Sequence, residues 1–225
     1  NVLMPEKDRF NQDDRLAKTL SEHPVLLPLV ASTKGKNDKP TSRVQVVGAD
    51  IAGKFVEYPG IIANVSKIQS AAAGSGVVNT FPEIDGVVRR MPLLVMSDDK
   101  LYPSLALDAL RMASGADRVQ VKVSEAGVEA VRIPRSMKIE VDGLSRLWID
   151  WSQTPTEYSL VNLPDSFDNG IVIVGLSAAG LVQPVATAKG EVWPQYMQAA
   201  LLGTMTSGVT INRSSYADDL ELLAI

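Results

Sequence analysis

NTFPEIDGVVRRMPLLVMSDDKLYPSLALDALRM, residues 79–112, is the stretch from which the rest of the chain is best read. Asp85-Gly86 is a turn signal, because glycine reaches the positive φ that a tight reversal needs. Val87 to Met96 follows as an apolar run of strand length. It is interrupted by Pro92, which has no N–H to give a ladder and belongs at an edge or bulge. Ser97-Asp98-Asp99-Lys100 reverses the chain again. Pro103-Ser104 then suits a helix start, and Ala106, Ala109, Leu110 and Ala113 recur at i, i+3, i+4 and i+7 on a helix that Gly115 stops. Turn, strand, reversal and helix succeed one another with almost no slack, so this segment predicts the unit into which the other elements pack. It holds two adjacent arginines and several carboxylates, but no histidine, no cysteine and no metal-ligand spacing.

Upstream, Asn11, Gln12, Asp13 and Asp14 offer capping residues before Leu16, Ala17 and Leu20, a short amphipathic helix that ends near His23-Pro24. VLLPLVA, residues 25–31, is a continuous apolar run and reads as a buried strand, with Pro28 placing it at an edge or a bulge. STKGKNDKPTSR, residues 32–43, has the composition of a solvated, mobile loop. Residues 44–64 mix β-branched side chains with glycines and keep no period. Val65, Ile68, Ala72 and Ala73 sit at helical spacings, with Gly74 or Gly76 as the stop, and VVNTF at 77–81 is the next strand.

Downstream, VQVKV, VEAVRI, KIEV and RLWIDW are short alternating runs divided by turn residues, so 119–151 read as a meander of hairpins with Leu147, Ile149 and Trp151 on one face. IVIVG, residues 171–175, is fully apolar, as a strand in the middle of an α/β sheet would be. Pro194 suits the first turn of a helix carrying Tyr196, Met197, Ala200 and Leu201 and ended by Gly208, and VTI at 209–211 offers a last strand. The fold class is therefore α/β, a mixed β-sheet flanked by helices with an antiparallel hairpin region.

At 225 residues and 45% hydrophobic content the chain is long enough for a full core, and one large domain is the expected organisation. Net charge is −4 with no long basic run, which leaves no electrostatic footprint for a nucleic-acid partner. The absence of cysteine removes thiolate nucleophiles, disulfides and Cys-ligated zinc, and it is compatible with an oxidising compartment. His23 is the single histidine, so Ser-His-Asp hydrolysis and most zinc sites would have to pass through it. Its position after a helix end reads more simply as a solvated residue near the negative pole of the dipole. No apolar run reaches the ~18 residues that cross a bilayer. NVLM begins in mid-strand style and DDLELLAI, 218–225, stops as an apolar helical pattern builds, so a piece of a longer protein is expected.

Gly175-Leu176-Ser177-Ala178-Ala179-Gly180 stands where a phosphate-cradling loop or a nucleophile elbow would. A dinucleotide fingerprint needs glycine where Ser177 stands, and the elbow needs glycine at 179. A tight strand-to-helix turn is the plainer reading; a small-ligand loop, or a hydrolase or nucleotide-binding enzyme using Gly175, Ser177 and Gly180, is the other. Arg89 and Arg90 suggest an anion clamp, but successive strand residues face opposite sides, so one pocket takes one of them at most. Asp85 lies roughly 13 Å from Arg89 along an extended strand, and an ion pair between them needs the Gly86 turn to fold back. Asp150, between Trp148 and Trp151, reads as a strand-end carboxylate, and Asp218, Asp219 and Glu221 as an acidic first helical turn. The candidate binding residues are Asp85, Arg89, Arg90 and Ser177; no catalytic residue, metal ligand or cofactor is assigned.

Four blocks in order, GVVNTFPEIDGVVRRMPLL, LYPSLALDALR, IVIVGLSAAGL and PVATAKGEVWPQYMQAALL, resemble the type-two CHASE domain, a sensory extracytoplasmic domain of bacterial adenylate cyclases, histidine kinases and related receptors. The likeness runs from about Leu3 to Leu223, with DDRLAKTLSEHPVLLPL as an early helix and strand and residues 217–225 as the run-in to a membrane helix. The resemblance implies a noncatalytic periplasmic domain of an inner-membrane protein, answering a small-molecule or protein signal and relaying it through the protein's own transmembrane helices. It also implies an upstream strand-helix portion ahead of Asn1, allows a homodimer, and transfers no catalytic residue. A periplasmic protein-interaction module is the alternative within the same setting.

Overall fold

The computed structural model describes residues 2–10, 12–34, 40–153, 155–168, 170–178 and 180–209. Its first sheet places β1 (Leu26–Ser32) between β4 (Gly60–Ile62), which runs antiparallel to it, and β5 (Gly74–Val77), which runs parallel. A bridge between Val77 and Ser104 leads on to β8 (Lys100–Pro103), β7 (Leu94–Ser97) and β3 (Val56–Glu57), so parallel and antiparallel pairings are mixed across the molecule. The hairpin region is a second sheet, β11 (Met137–Ile139), β10 (Gly127–Ile133), β9 (Val119–Ser124) and β2 (Val44–Gly48), with β2 parallel to β9. Two short ladders complete it: β6 (Arg90–Pro92) with β12 (Arg146–Trp148), and β13 (Val185–Thr187) with β14 (Gly190–Val192). The α/β class with a mixed sheet and an antiparallel hairpin region is what the chain adopts.

The stretch 79–112 folds as its local signals require. Asp98 and Asp99 have φ of 49° and 57°, the double positive φ of the two-residue turn whose twist matches a hairpin, and Ser97 pairs with Lys100 across it. Ser104 caps α3 (Leu105–Ala113) by accepting the Leu107 N–H at 3.2 Å. Leu107 and Leu110 of α3 enter the main core with Val121, Val131 and Ile133 of the hairpin sheet and Met197 and Leu201 of α4 (Pro194–Ser207). Gln198 of α4, fully buried, accepts the Ala106 N–H at 3.1 Å and so ties one helix to the first turn of the other. On the far side, α1 (Asp13–Ser21) and α2 (Ser66–Ala71) cover β1 through Leu20, Leu27 and Ile68.

Several expectations are corrected. The Pro28 strand is the central member of its trio, yet β4 reaches only Val30 to Ser32. Pro28 faces that uncovered side, where its carbonyl accepts from Asn64 Nδ2 at 3.0 Å, so its missing N–H costs no ladder bond. Gly74 and Gly76 do not stop α2, which ends in an extended Ala72; they form β5 beneath α3, so the strand begins before VVNTF and keeps only its first residue, Val77. A Cβ on Gly76 would stand 2.5 Å from the Leu105 backbone. Gln12 is the N-cap of α1 and makes no side-chain cap bond. IVIVG forms no strand among the described residues, and Ile171, Val172 and Val174 are 42%, 51% and 52% exposed. Its apolar character signals a need for cover, which no described ladder supplies. Thr210 and Ile211 of the last expected strand, Asp218, Asp219 and Glu221, and the 217–225 run-in lie outside the described residues.

Gly76→Ala is expected to destabilise the fold by about 2–3 kcal/mol through overpacking against α3. Gly143→Ala, whose nearest new neighbour is the Ala126 carbonyl at 3.7 Å, should stay within about 0.5 kcal/mol of the parent in urea unfolding.

Candidate functional site

The loop entering β6 is built by its own carboxylates. Gly86, at φ 80°, folds the chain back so that the Gly86 N–H reaches the Glu83 carbonyl at 2.9 Å and the Val87 N–H reaches Asp85 Oδ1 at 3.1 Å. This reversal brings Arg89 onto Asp85 in a two-pronged pair at 2.9 and 2.7 Å. Arg90 points the other way, as strand alternation requires. It donates to both Glu83 oxygens at 2.7 Å and to Asp142 at 3.3 Å, with its guanidinium 5.0 Å from the centre of the Trp148 ring. Asp142 also accepts from Arg146 Nε at 2.8 Å and from the Leu144 and Arg146 N–H groups at 3.0 and 2.8 Å. One carboxylate thus links the loop, β6 and β12.

These contacts set the titration behaviour. The Arg89 guanidinium, helped by the Val87 N–H, holds the Asp85 carboxyl down at about 2. Arg90 holds Glu83 below the usual carboxylate range, chiefly by its side-chain hydrogen bonds. Chemically the cluster is a cross-brace whose guanidinium forks are already filled by protein carboxylates.

Asp85, Arg89 and Arg90 are therefore brought together, whereas Ser177 is not part of their network. It lies exposed in segment 171–178, which forms no strand, and Gly175 sits against α4, where a Cβ would meet the Gln195 side chain at 2.5 Å. The buried strand that a nucleophile elbow or phosphate loop would follow is absent there. Asp150 closes a turn by accepting the Ser152 N–H at 2.9 Å, and His23 is exposed just past α1. Among the described residues no cluster of three or more His, Cys, Asp or Glu side chains could hold a metal ion, and no helix is long and apolar enough to cross a membrane.

Sequence reading missed a cleft of about 670 Å³ bounded by residues 5–7, 40–43 and 63–75. Its walls come from separate segments that share no motif, so only the folded chain assembles them. A smaller recess of about 390 Å³ lies beside Lys54, Glu125 and Gly127.

Comparison with known proteins gives one family: the model described as CHASE2 domain matches residues 1–224. No curated protein and no solved structure matches the chain.

The two arginines should behave unequally. Arg90→Ala, which breaks partly buried pairs and uncovers Trp148, is expected to cost about 2 kcal/mol in chemical unfolding, while Arg89→Ala, which breaks an exposed pair, should lower the unfolding midpoint by a smaller amount. Because the folded-state pKa values of Asp85 and Glu83 are depressed, their stabilisation is present above the ordinary carboxylate range and is lost as pH falls below it, for Asp85 from about 4 towards about 2. Thermal unfolding across that window should show the loss, and Asp85→Asn should flatten its most acidic part.

Proposed function

The chain belongs to the CHASE2 domain family, a family of extracellular sensory domains, and from that membership we propose that it is the sensing part of a bacterial transmembrane receptor. In this reading the domain lies on the periplasmic side of the inner membrane and perceives a small molecule or a protein partner. It passes the result to an output such as a nucleotide cyclase or a histidine kinase. The family match across 1–224 is the observation that carries the reading.

The relay works by population shift: a signal that binds one arrangement of the domain better than another biases the equilibrium between them. α4 is suited to transmit that bias. It is locked to the first turn of α3 by Gln198, and it is the last described helix before the C-terminal residues. A second reading, docking of a protein partner, is favoured by Leu160, Val161 and Leu181, which are 74%, 88% and 71% exposed. Apolar exposure on this scale is common at protein contact surfaces.

Fusing reporters after Gly208 of the gene's natural product tests the placement. Alkaline phosphatase, active only outside the cytoplasm, should be active there and β-galactosidase inactive. The reverse pattern would overturn the receptor reading.

A further inference from the structure

We propose that the cleft between residues 5–7, 40–43 and 63–75 is the domain's ligand site and takes a small acceptor-rich anion, a carboxylate- or phosphate-bearing molecule. This deepens the sensory reading and rests on it. At about 670 Å³ the cleft falls within the ~300–1,000 Å³ of small-molecule sites.

Its polar character is one-sided. Lys7 and Arg43, both exposed, line it and pair with no carboxylate among the described residues, and none of its described lining residues is Asp or Glu. The buried guanidinium of Arg111 and the partly buried ones of Arg90 and Arg146 are, by contrast, each matched by an acid. Two unmatched cations over a wall with no carboxylate favour an anionic guest.

The wall also presents donors left over from the fold's own hydrogen bonding. The Met4 N–H can only donate, so at 2.9 Å it fixes Asn64 Oδ1 as the acceptor. Asn64 Nδ2 is then the donor, reaching the Pro28 carbonyl and Gln69 Oε1, each at 3.0 Å. That assignment leaves Gln69 Nε2 as a donor at the cleft wall without a partner among the described residues. Ser75 adds a second. It is 7% exposed, lines the cleft, and its hydroxyl has no partner among the described residues. At the cleft wall that hydroxyl is placed to donate to a ligand oxygen.

The test is titration of the ¹⁵N-labelled chain with citrate, inorganic phosphate and, as a neutral control, glycerol. Saturable shifts at Ser75 and Gln69 with citrate or phosphate, and none with glycerol, are expected; the tighter of the two anions identifies a carboxylate or a phosphate guest. Arg43→Ala and Lys7→Ala should each weaken binding about tenfold, the effect of one charge-assisted contact. Ser75→Ala should also weaken it while leaving the thermal midpoint unchanged or higher, an outcome that a structural role for the hydroxyl would not give. No saturable shift by roughly 10 mM of either anion, equal binding of glycerol, or unaltered affinity in all three variants would overturn the site. None of these results bears on the reporter pattern, so the cleft can fail while the receptor reading stands.

Discussion

Much of the architecture depends on how closely the first turn of α3 lies over β5. Gly76 makes that approach possible, since any side chain there would collide with the Leu105 backbone. Once the helix is seated, the Val77–Ser104 bridge links two sets of strands, and Ser104 serves both as that link and as the helix cap. Gln198 then brings α4 onto the same turn. Sheet continuity, helix initiation and helix–helix docking are thus coupled at a single place. Gly74 shows the same constraint one pleat earlier, against the buried Asp108–Arg111 pair.

What could be read from the sequence was local. The α3 start, its buried positions and the Asp98-Asp99 reversal follow from rules that operate within a few residues, and all appear in the fold. Adjacent arginines on a strand had to part company, and Arg89 and Arg90 each take their own carboxylate. The failures are non-local. An apolar run such as IVIVG states that burial is favourable without naming what covers it. Pro28 forbids one hydrogen bond, but whether that makes a strand an edge depends on how far β4 extends. Gly74 and Gly76 resemble a helix stop to a reader who has not yet seen α3 above them. The cleft was the least legible feature, because Lys7, Arg43 and Ser75 become neighbours only after the chain folds.

The division between cross-brace and cleft gives the molecule two kinds of charged surface. Around Arg90 every guanidinium nitrogen has an internal acceptor, and the energy of those contacts goes into holding β6, β12 and the preceding loop in register. Around Arg43 no such acceptor is present among the described residues. Saturated contacts make a block of sequence conspicuous for architectural reasons, whereas unsaturated donors mark places where something external can be recognised.

The hydrogen bonds of Asn64 also couple the chain mechanically. Met4 is held by both of its backbone polar groups, its N–H to Asn64 and its carbonyl to the Val65 N–H at 2.8 Å, while Asn64 grips the middle of β1 at Pro28. A tug on the chain at Met4 would therefore be borne first by three short hydrogen bonds and delivered to the centre of β1, not to the hydrophobic interior. The early residues are thus geared to the same strand and the same amides that shape the cleft, so displacement at Met4 and occupancy of the cleft would pull on a common linkage.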